Sequence, residues 1–160
     1  PDFEIVAGGE SRQQSVLNGI KALPDQTEYF VIHDGARPFV NQDIIRRCMQ
    51  EVQKYQACVV GMPVKDTIKI ADEEGYAKQT PDRKNVWMIQ TPQTFSYQLI
   101  YEAYEEMLKS EDATITDDAM VLERVKGKKS KLIEGSYRNI KITTPEDLLI
   151  ADIYLQNPEK

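Results

Sequence analysis

Two apolar periods alternate along this chain. Residues 29–32 and 57–62 are short, nearly unbroken apolar runs, the pattern of strands buried on both faces. Between them, Ile44, Ile45, Cys48, Met49 and Val52 recur at helical spacing behind Asn41 and Asp43, which mark the helix start. The same rhythm begins earlier. Residues 3–7 read as a strand, Gly8-Gly9 as a turn, and Ser11 as the cap of a helix with Val16, Leu17, Ile20 and Leu23 on one face. It also continues. Residues 86–89 resume the sheet and lead into a loop at Thr91-Pro92-Gln93; Ser96 then caps a helix with Leu99, Ile100, Ala103, Tyr104, Met107 and Leu108 along its stripe. Thr116-Asp117-Asp118 opens a further helix carrying Met120, Val121 and Val125, and short strands follow near 131–133 and 139–142. Thr144-Pro145-Glu146-Asp147 combines an N-cap, a proline at the first helical position and an acid at the third. The final helix buries Leu148, Leu149 and Leu155, and the polar end at 156–160 is expected to fray.

Alternating strands and helices predict an α/β fold with a largely parallel sheet covered by helices. One stretch breaks the rhythm. Thr67-Ile68-Lys69-Ile70 alternates at period two, Asp72-Glu73-Glu74-Gly75 is a turn, and 76–80 returns as a second strand. This hairpin, at about 66–83, has too little apolar surface to be stable alone and is expected to project as an arm, mobile or packed on a partner subunit. No repeat or interdomain linker interrupts the chain, so residues 1–160 read as a single domain with an arm. The chain opens on Pro1 and is in strand pattern by Phe3, as if entered part-way through a fold.

Composition narrows the partners. An apolar fraction of 41% and a charged fraction of 29% are those of a globular protein with a full core. The net charge of −6 argues against a nucleic-acid groove or an anionic membrane surface, while leaving room for a local phosphate site. No apolar run reaches the ~18 residues of a membrane span. Cys48 and Cys58 match no metal or redox spacing and read as buried free thiols, which with no visible secretory signal makes a cytoplasmic setting the default.

The candidate chemistry gathers at strand ends. After the apolar run ending at Ile32 come His33, Asp34, Gly35, Ala36, Arg37 and Pro38, an acid and a guanidinium set where ligands bind in open α/β sheets. A buried Asp–Arg pair closing a turn explains that segment equally well. Gly9, Glu10, Arg12 and Ser15 follow the first strand; Asp66 and Thr67 follow the third; Thr91 and Gln93 follow the fourth; Lys141 lies near the end of the last. On one rim these would supply phosphate binders (Arg12, Arg37, Lys141), hydroxyls (Ser15, Thr67, Thr91, Thr116) and acids (Glu10, Asp34). Singly, each has a plainer role: Ser11 and Ser15 as helix-start residues, Arg12 as a surface charge, Thr116-Asp117-Asp118 as a cap favoured by the helix dipole, and His33 as a satisfied structural histidine rather than a general base.

Six ordered motifs then carry a resemblance. Gly8-Gly9-Glu10-Ser11-Arg12-Gln13-Gln14-Ser15-Val16, His33-Asp34-Gly35-Ala36-Arg37-Pro38, Pro63-Val64-Lys65-Asp66-Thr67, Gln90-Thr91-Pro92-Gln93-Thr94-Phe95, Thr116-Asp117-Asp118-Ala119 and the run from Asn139-Ile140-Lys141 to Leu148 together resemble the 2-C-methyl-D-erythritol 4-phosphate cytidylyltransferase family. The resemblance implies a Rossmann-like nucleotidyltransferase fold and a homodimer whose β-arms reach across. It implies transfer of CMP from CTP to a sugar-alcohol phosphate with Mg²⁺, the metal-holding groups being unknown. It places Gly9, Glu10 and Ser15 at the cytidine; Asp34, Ala36 and Arg37 along the ribose, phosphate and methylerythritol; and Thr67, Thr91 and Thr116 on the sugar phosphate. Lys141 would position the attacking oxygen, and Arg83 would come from the partner's arm.

One departure accompanies it. The glycine-rich segment of the family, with a following arginine and lysine, is absent from these 160 residues, so the N-terminal part of the fold is expected to be missing and this chain alone to be inert. Two other readings remain at this stage: a ribitol 5-phosphate cytidylyltransferase, and a non-catalytic dimerising fragment.

Overall fold

The computed structural model describes residues 3–109 and 115–158. Pro1 and, from the polar end expected to fray, Glu159 and Lys160 lie outside the described residues. A four-stranded sheet forms the centre, built from β1 (Tyr29–Ile32), β2 (Ala57–Pro63), β5 (Trp87–Ser96) and β6 (Lys131–Glu134) in the order β1-β5-β2-β6. β2 and β6 are paired parallel, whereas β5 runs antiparallel to both β1 and β2. Three strands therefore point one way and β5 against them. The α/β layering expected from the sequence is present.

The period-two pattern of β2 explains the layers. Ala57 and Val59 face one side with Phe95, against α1 (Arg12–Lys21), α3 (Tyr97–Met107) and α4 (Asp118–Lys126), where Leu17, Ile100, Tyr104 and Leu122 are buried. Cys58 and Val60 face the other side, where α2 (Gln42–Tyr55) packs Ile44, Cys48 and Val52. Both thiols are free and buried, and burial pushes the Cys58 thiol up to about 12. Local caps fix the helix starts. Ser11, Asn41 and Asp117 each accept a hydrogen bond from a backbone N–H in the first turn. Thr144 and Asp147 form a reciprocal capping box on α5 (Pro145–Gln156). Ser96 holds the N-cap position of α3 without a side-chain bond.

α5 buries Ala151, whereas Leu148, Leu149 and Leu155, expected in the core, are exposed because no described element packs over that face. Three further sequence expectations differ. Residues 3–7 join no ladder, and Phe3 and Ile5 are exposed, because an extended segment becomes a strand only beside a hydrogen-bonding neighbour. Residues 139–142 likewise form a loop, not a strand. The third difference matters most. Thr91-Pro92-Gln93 is not a loop after a strand but the middle of β5. Val59 pairs with Gln93 and Gly61 with Ile89, so Gln90, Thr91 and Pro92 stand opposite Val60 alone. Proline has no N–H for a ladder and is tolerated at such a bulge, which re-aims its neighbours.

The arm is present. β3 (Ile70–Ala71) and β4 (Ala77–Gln79) form a separate two-stranded sheet, and a short 3-10 turn (Arg83–Asn85) leads back into β5. Every residue of both arm strands is exposed.

Candidate active site

β1, β2 and β6 end at one edge of the sheet, and the segments beyond β1 and β6 meet there. The turn after β1 closes on itself. Arg37 N–H donates to the Asp34 carbonyl at 3.0 Å, and Arg37 Nε donates to Asp34 Oδ2 at 3.3 Å. The loop after β6 is stitched to that turn: Arg37 Nη1 donates to the Asn139 carbonyl at 2.9 Å, and Ile142 N–H donates to the Ala36 carbonyl at 2.8 Å. Lys141 Nζ is thereby held 3.2 Å from Asp34 Oδ2. Burial alone would raise the Asp34 carboxyl, but Lys141 and then Arg37 outweigh it and hold the group below its ordinary value. The two readings of the His33–Pro38 segment are thus both realised, since the Asp–Arg pair closes a turn and also lines a cavity.

The bulge of β5 supplies the third side. Thr91 Oγ1 accepts the Asp34 N–H at 3.0 Å and lies 3.0 Å from His33 Nδ1, while His33 Nε2 lies 3.0 Å from the Arg37 carbonyl. Asn139, fully buried, donates from Nδ2 to the Thr91 carbonyl at 2.8 Å and to Gln90 Oε1 at 3.2 Å. Gly135 leaves room for that clamp, because a Cβ there would fall 2.5 Å from Gln90 Oε1. Gln93, also buried, accepts the Ala119 N–H at 2.9 Å and donates to Asp117 Oδ2 at 3.1 Å, tying the start of α4 to the sheet.

These groups enclose a polar cavity of about 250 Å³, lined by Arg12, Asp34, Arg37, Thr91, Gln93, Thr116, Asp117 and Lys141. Five of the sequence-predicted site residues (Asp34, Arg37, Thr91, Thr116 and Lys141) converge on it. Ala36 stands in the same turn through its carbonyl. Gly9, Glu10, Ser15, Thr67 and Arg83 do not line it. Gly9 and Ser15 pair with each other at the start of α1, the Gly9 N–H donating to Ser15 Oγ at 3.0 Å, and Glu10 is exposed beside them. Thr67 and Arg83 sit exposed at the base of the arm, where Arg83 Nη1 donates to the Lys65 carbonyl at 2.8 Å.

Arg12, expected among the phosphate binders, is committed elsewhere. Its two terminal nitrogens donate to both oxygens of Asp118 at 2.9 and 2.7 Å, and Tyr104 Oη also donates to that fully buried carboxylate. The hydrogen bonds to Asp118 make Arg12 hold its proton more tightly than usual. Asp118 and Asn139 are the groups to which the sequence assigned no role at the site. Nothing local marks Asp118 as the partner of a residue 106 positions away, and a buried asparagine carries no periodic signal. His33 is satisfied at both ring nitrogens, as read from the sequence.

Among the described residues, no cluster of three His, Cys, Asp or Glu side chains could hold a metal ion, and no helix is long and apolar enough to cross a membrane.

Comparison with known proteins agrees with these features. A protein named 2-C-methyl-D-erythritol 4-phosphate cytidylyltransferase from Caldanaerobacter subterraneus is 51% identical over 154 residues, covering 96% of this chain and 67% of its own length. One of the same name from Alkaliphilus oremlandii is 49% identical over 152 residues, covering 95% and 64%. The crystal structure of 4-diphosphocytidyl-2C-methyl-D-erythritol synthase from Anaerococcus prevotii superposes with a TM-score of 0.88 at 40% identity, over 94% of this chain and 66% of that one. That of the Thermus thermophilus 2-C-methyl-D-erythritol 4-phosphate cytidylyltransferase gives 0.81 at 32%, over 93% and 71%. The chain thus spans about two thirds of the length of the curated relatives it matches. With residues 1–157 matching the family throughout, the chain belongs to the 2-C-methyl-D-erythritol 4-phosphate cytidylyltransferase family.

Proposed function

We propose that the protein carrying this chain transfers CMP from CTP to 2-C-methyl-D-erythritol 4-phosphate. An oxygen of the sugar phosphate attacks the α-phosphorus of CTP, the bond from that phosphorus to the bridging β-phosphate oxygen breaks, and pyrophosphate leaves. The observation that carries this reading is the convergence of Asp34, Arg37, Thr91 and Lys141 on one polar cavity in a chain of this family. Bringing two anions together makes such catalysis mostly alignment and charge neutralisation. Lys141, about half exposed and aimed by Asp34, is the cation for the attacking phosphate. Arg37, its guanidinium tied to Asp34 and to the Asn139 carbonyl, keeps the rim in shape. Thr91 and Thr116 offer hydroxyls to the sugar phosphate, Thr67 joins them from the arm, and Gly9, Glu10 and Ser15 meet the cytidine.

Arg83 does not line this cavity, so it acts in the reading only from the arm of a second copy, which makes a homodimer part of the proposal. Mg²⁺ is proposed to arrive on the substrate phosphates. The donors present do not fit a protein-held metal, since Asp34 is already paired with two cations. The acidic balance supports small phosphorylated substrates rather than nucleic acid, and the buried free thiols support a cytoplasmic setting.

The test is turnover by the whole protein with CTP and Mg²⁺. Pyrophosphate release with 2-C-methyl-D-erythritol 4-phosphate is expected; preferential use of ribitol 5-phosphate would overturn the choice of acceptor.

A further inference from the structure

Hydrogen-bond bookkeeping around His33 has one solution for each charge state. The Arg37 carbonyl can only accept, so the ring nitrogen 3.0 Å away, Nε2, carries a proton. The Asp34 N–H can only donate, so one lone pair of Thr91 Oγ1 is taken. A neutral ring with its proton on Nδ1 would set two lone pairs against each other across 3.0 Å at the Arg37 carbonyl, which excludes that tautomer. Two states remain. In neutral His33, Nδ1 is bare and takes the Thr91 hydroxyl proton, so Thr91 offers the cavity only a lone pair. In charged His33, Nδ1–H donates to Thr91 Oγ1, and the Thr91 O–H is released to donate elsewhere. Thr91 is 5% exposed and lines the cavity, so the cavity is where a released proton can point.

We propose that His33 is a positioning residue that sets the direction of the Thr91 hydroxyl, so that occupation of the cavity by a tetrahedral dianion is coupled to protonation of His33 at Nδ1. The inference rests on the reading of the cavity as a phosphate site and goes beyond it, giving a role to a residue that touches no substrate. The ionisable groups lining the cavity beside Thr91 are Asp34 and Arg37 on the His33 turn, Lys141 from the loop after β6, Arg12 from α1 and Asp117 at the start of α4; β5, which supplies Thr91, has no ionisable side chain in Trp87–Ser96. Of these, the two acids favour the charged ring and the three cations oppose it. A dianion seated among them tips the balance twice, by its charge and by accepting the freed hydroxyl.

The experiment follows the His33 ring nitrogens by ¹⁵N NMR in the whole protein as pH is varied, with and without sulfate, a tetrahedral dianion of constant charge over that range. Without sulfate and at high pH, Nε2 should carry the proton and Nδ1 none. Sulfate should raise the His33 midpoint by about one pH unit, the tenfold worth of one charge-assisted hydrogen bond. Thr91→Ser should keep that displacement and Thr91→Val should lose most of it. An equal displacement in Thr91→Val would mean that the anion's charge alone acts, and would overturn the proposal, as would a neutral ring protonated at Nδ1. If sulfate moves the Thr91 and Asp34 amide signals but not the His33 midpoint, this inference falls and the phosphate reading stands. If it moves neither, both fall.

Discussion

The rim around Asp34 and the arm at 66–83 carry the same kinds of polar residue and hold them in opposite ways. On the rim, the side chains of Arg37 and Asp34 are 12% and 19% exposed, and every segment is tied to another element: turn to loop, loop to strand, strand to α4. In the arm, Tyr76 is 70% and Ile70 45% exposed. Its bonds stay local, as in Lys69 to Thr80 at 2.7 Å and the Asp72 carboxylate accepting the N–H groups of Glu74 and Tyr76. The rim needs only its own core to be precise. The arm buries almost nothing, so its precision has to come from a surface it packs against. A site that uses both regions is therefore half preorganised within one chain.

Breaking the rim at its most buried point should have the largest effect. Asp118→Ala removes the acceptor of Tyr104, whose buried hydroxyl is held protonated by its surroundings and by that carboxylate, and unpairs Arg12. Breaking a fully buried pair costs ~3–5 kcal/mol, and an Arg12 side chain 38% exposed places this one near the lower end, about 3 kcal/mol in denaturant unfolding. The equivalent insult to the arm, Tyr76→Ala, should leave the unfolding free energy of the isolated subunit unchanged within ~0.5 kcal/mol.

Lys141→Ala sharpens the comparison by separating chemistry from fold. Loss of one preorganised charge at the reacting phosphate should lower kcat/KM by roughly 10²–10³, with the circular dichroism spectrum intact. It should also move the acid limb of stability. Asp34 is held below its ordinary 3.8 when folded, so it stabilises above that pH, and the contribution fades as pH falls through the folded value. Without Lys141 the lowering shrinks, and acid unfolding should begin at higher pH. An unchanged acid midpoint would show that Arg37 alone holds Asp34.

Arg83→Ala should do less. Its bond to the Lys65 carbonyl is exposed, and such contacts stabilise by at most ~1 kcal/mol, so Tm should barely move. As a phosphate ligand it should still be worth one to two powers of ten, roughly, in kcat/KM for the sugar phosphate, and less for CTP.

The same contrast separates what the sequence discloses from what it hides. Caps were legible because their chemistry is local: Ser11, Asn41, Asp117 and the Thr144–Asp147 box each speak to the next turn. The arm was legible as a hairpin because Thr67–Ile70 alternates at period two ahead of the Asp72–Gly75 turn, and as a projection because it has little apolar surface. Pro92 misled, since a proline among polar residues after an apolar run reads as the end of a strand, whereas here Val60 on the neighbouring strand faces a bulge that accommodates it. Phe3 and Ile5 misled in the other direction, because alternation specifies a strand only where a neighbour completes the ladder. Arg12 could not be separated from the phosphate binders without its distant partner, Asp118. Of the site residues legible in sequence, Asp34, Arg37 and Lys141 follow the co-directional strands β1 and β6, while Thr91 lies in the bulge of β5 and Thr116 ahead of α4; the clamp of Asn139 on Gln90 and Thr91 was not legible.

The claim that the arm borrows its precision from a second copy is tested most directly with a mixed dimer purified through two different tags, one subunit carrying Arg83→Ala and the other Lys141→Ala. If Arg83 serves the site of its partner, one of the two sites has both cations intact, and activity should be near half that of wild type. If Arg83 serves its own subunit, no site is intact, and activity no better than that of the single-variant homodimers would contradict the account, as would an Arg83→Ala homodimer with full activity, which would mean that Arg83 serves neither site.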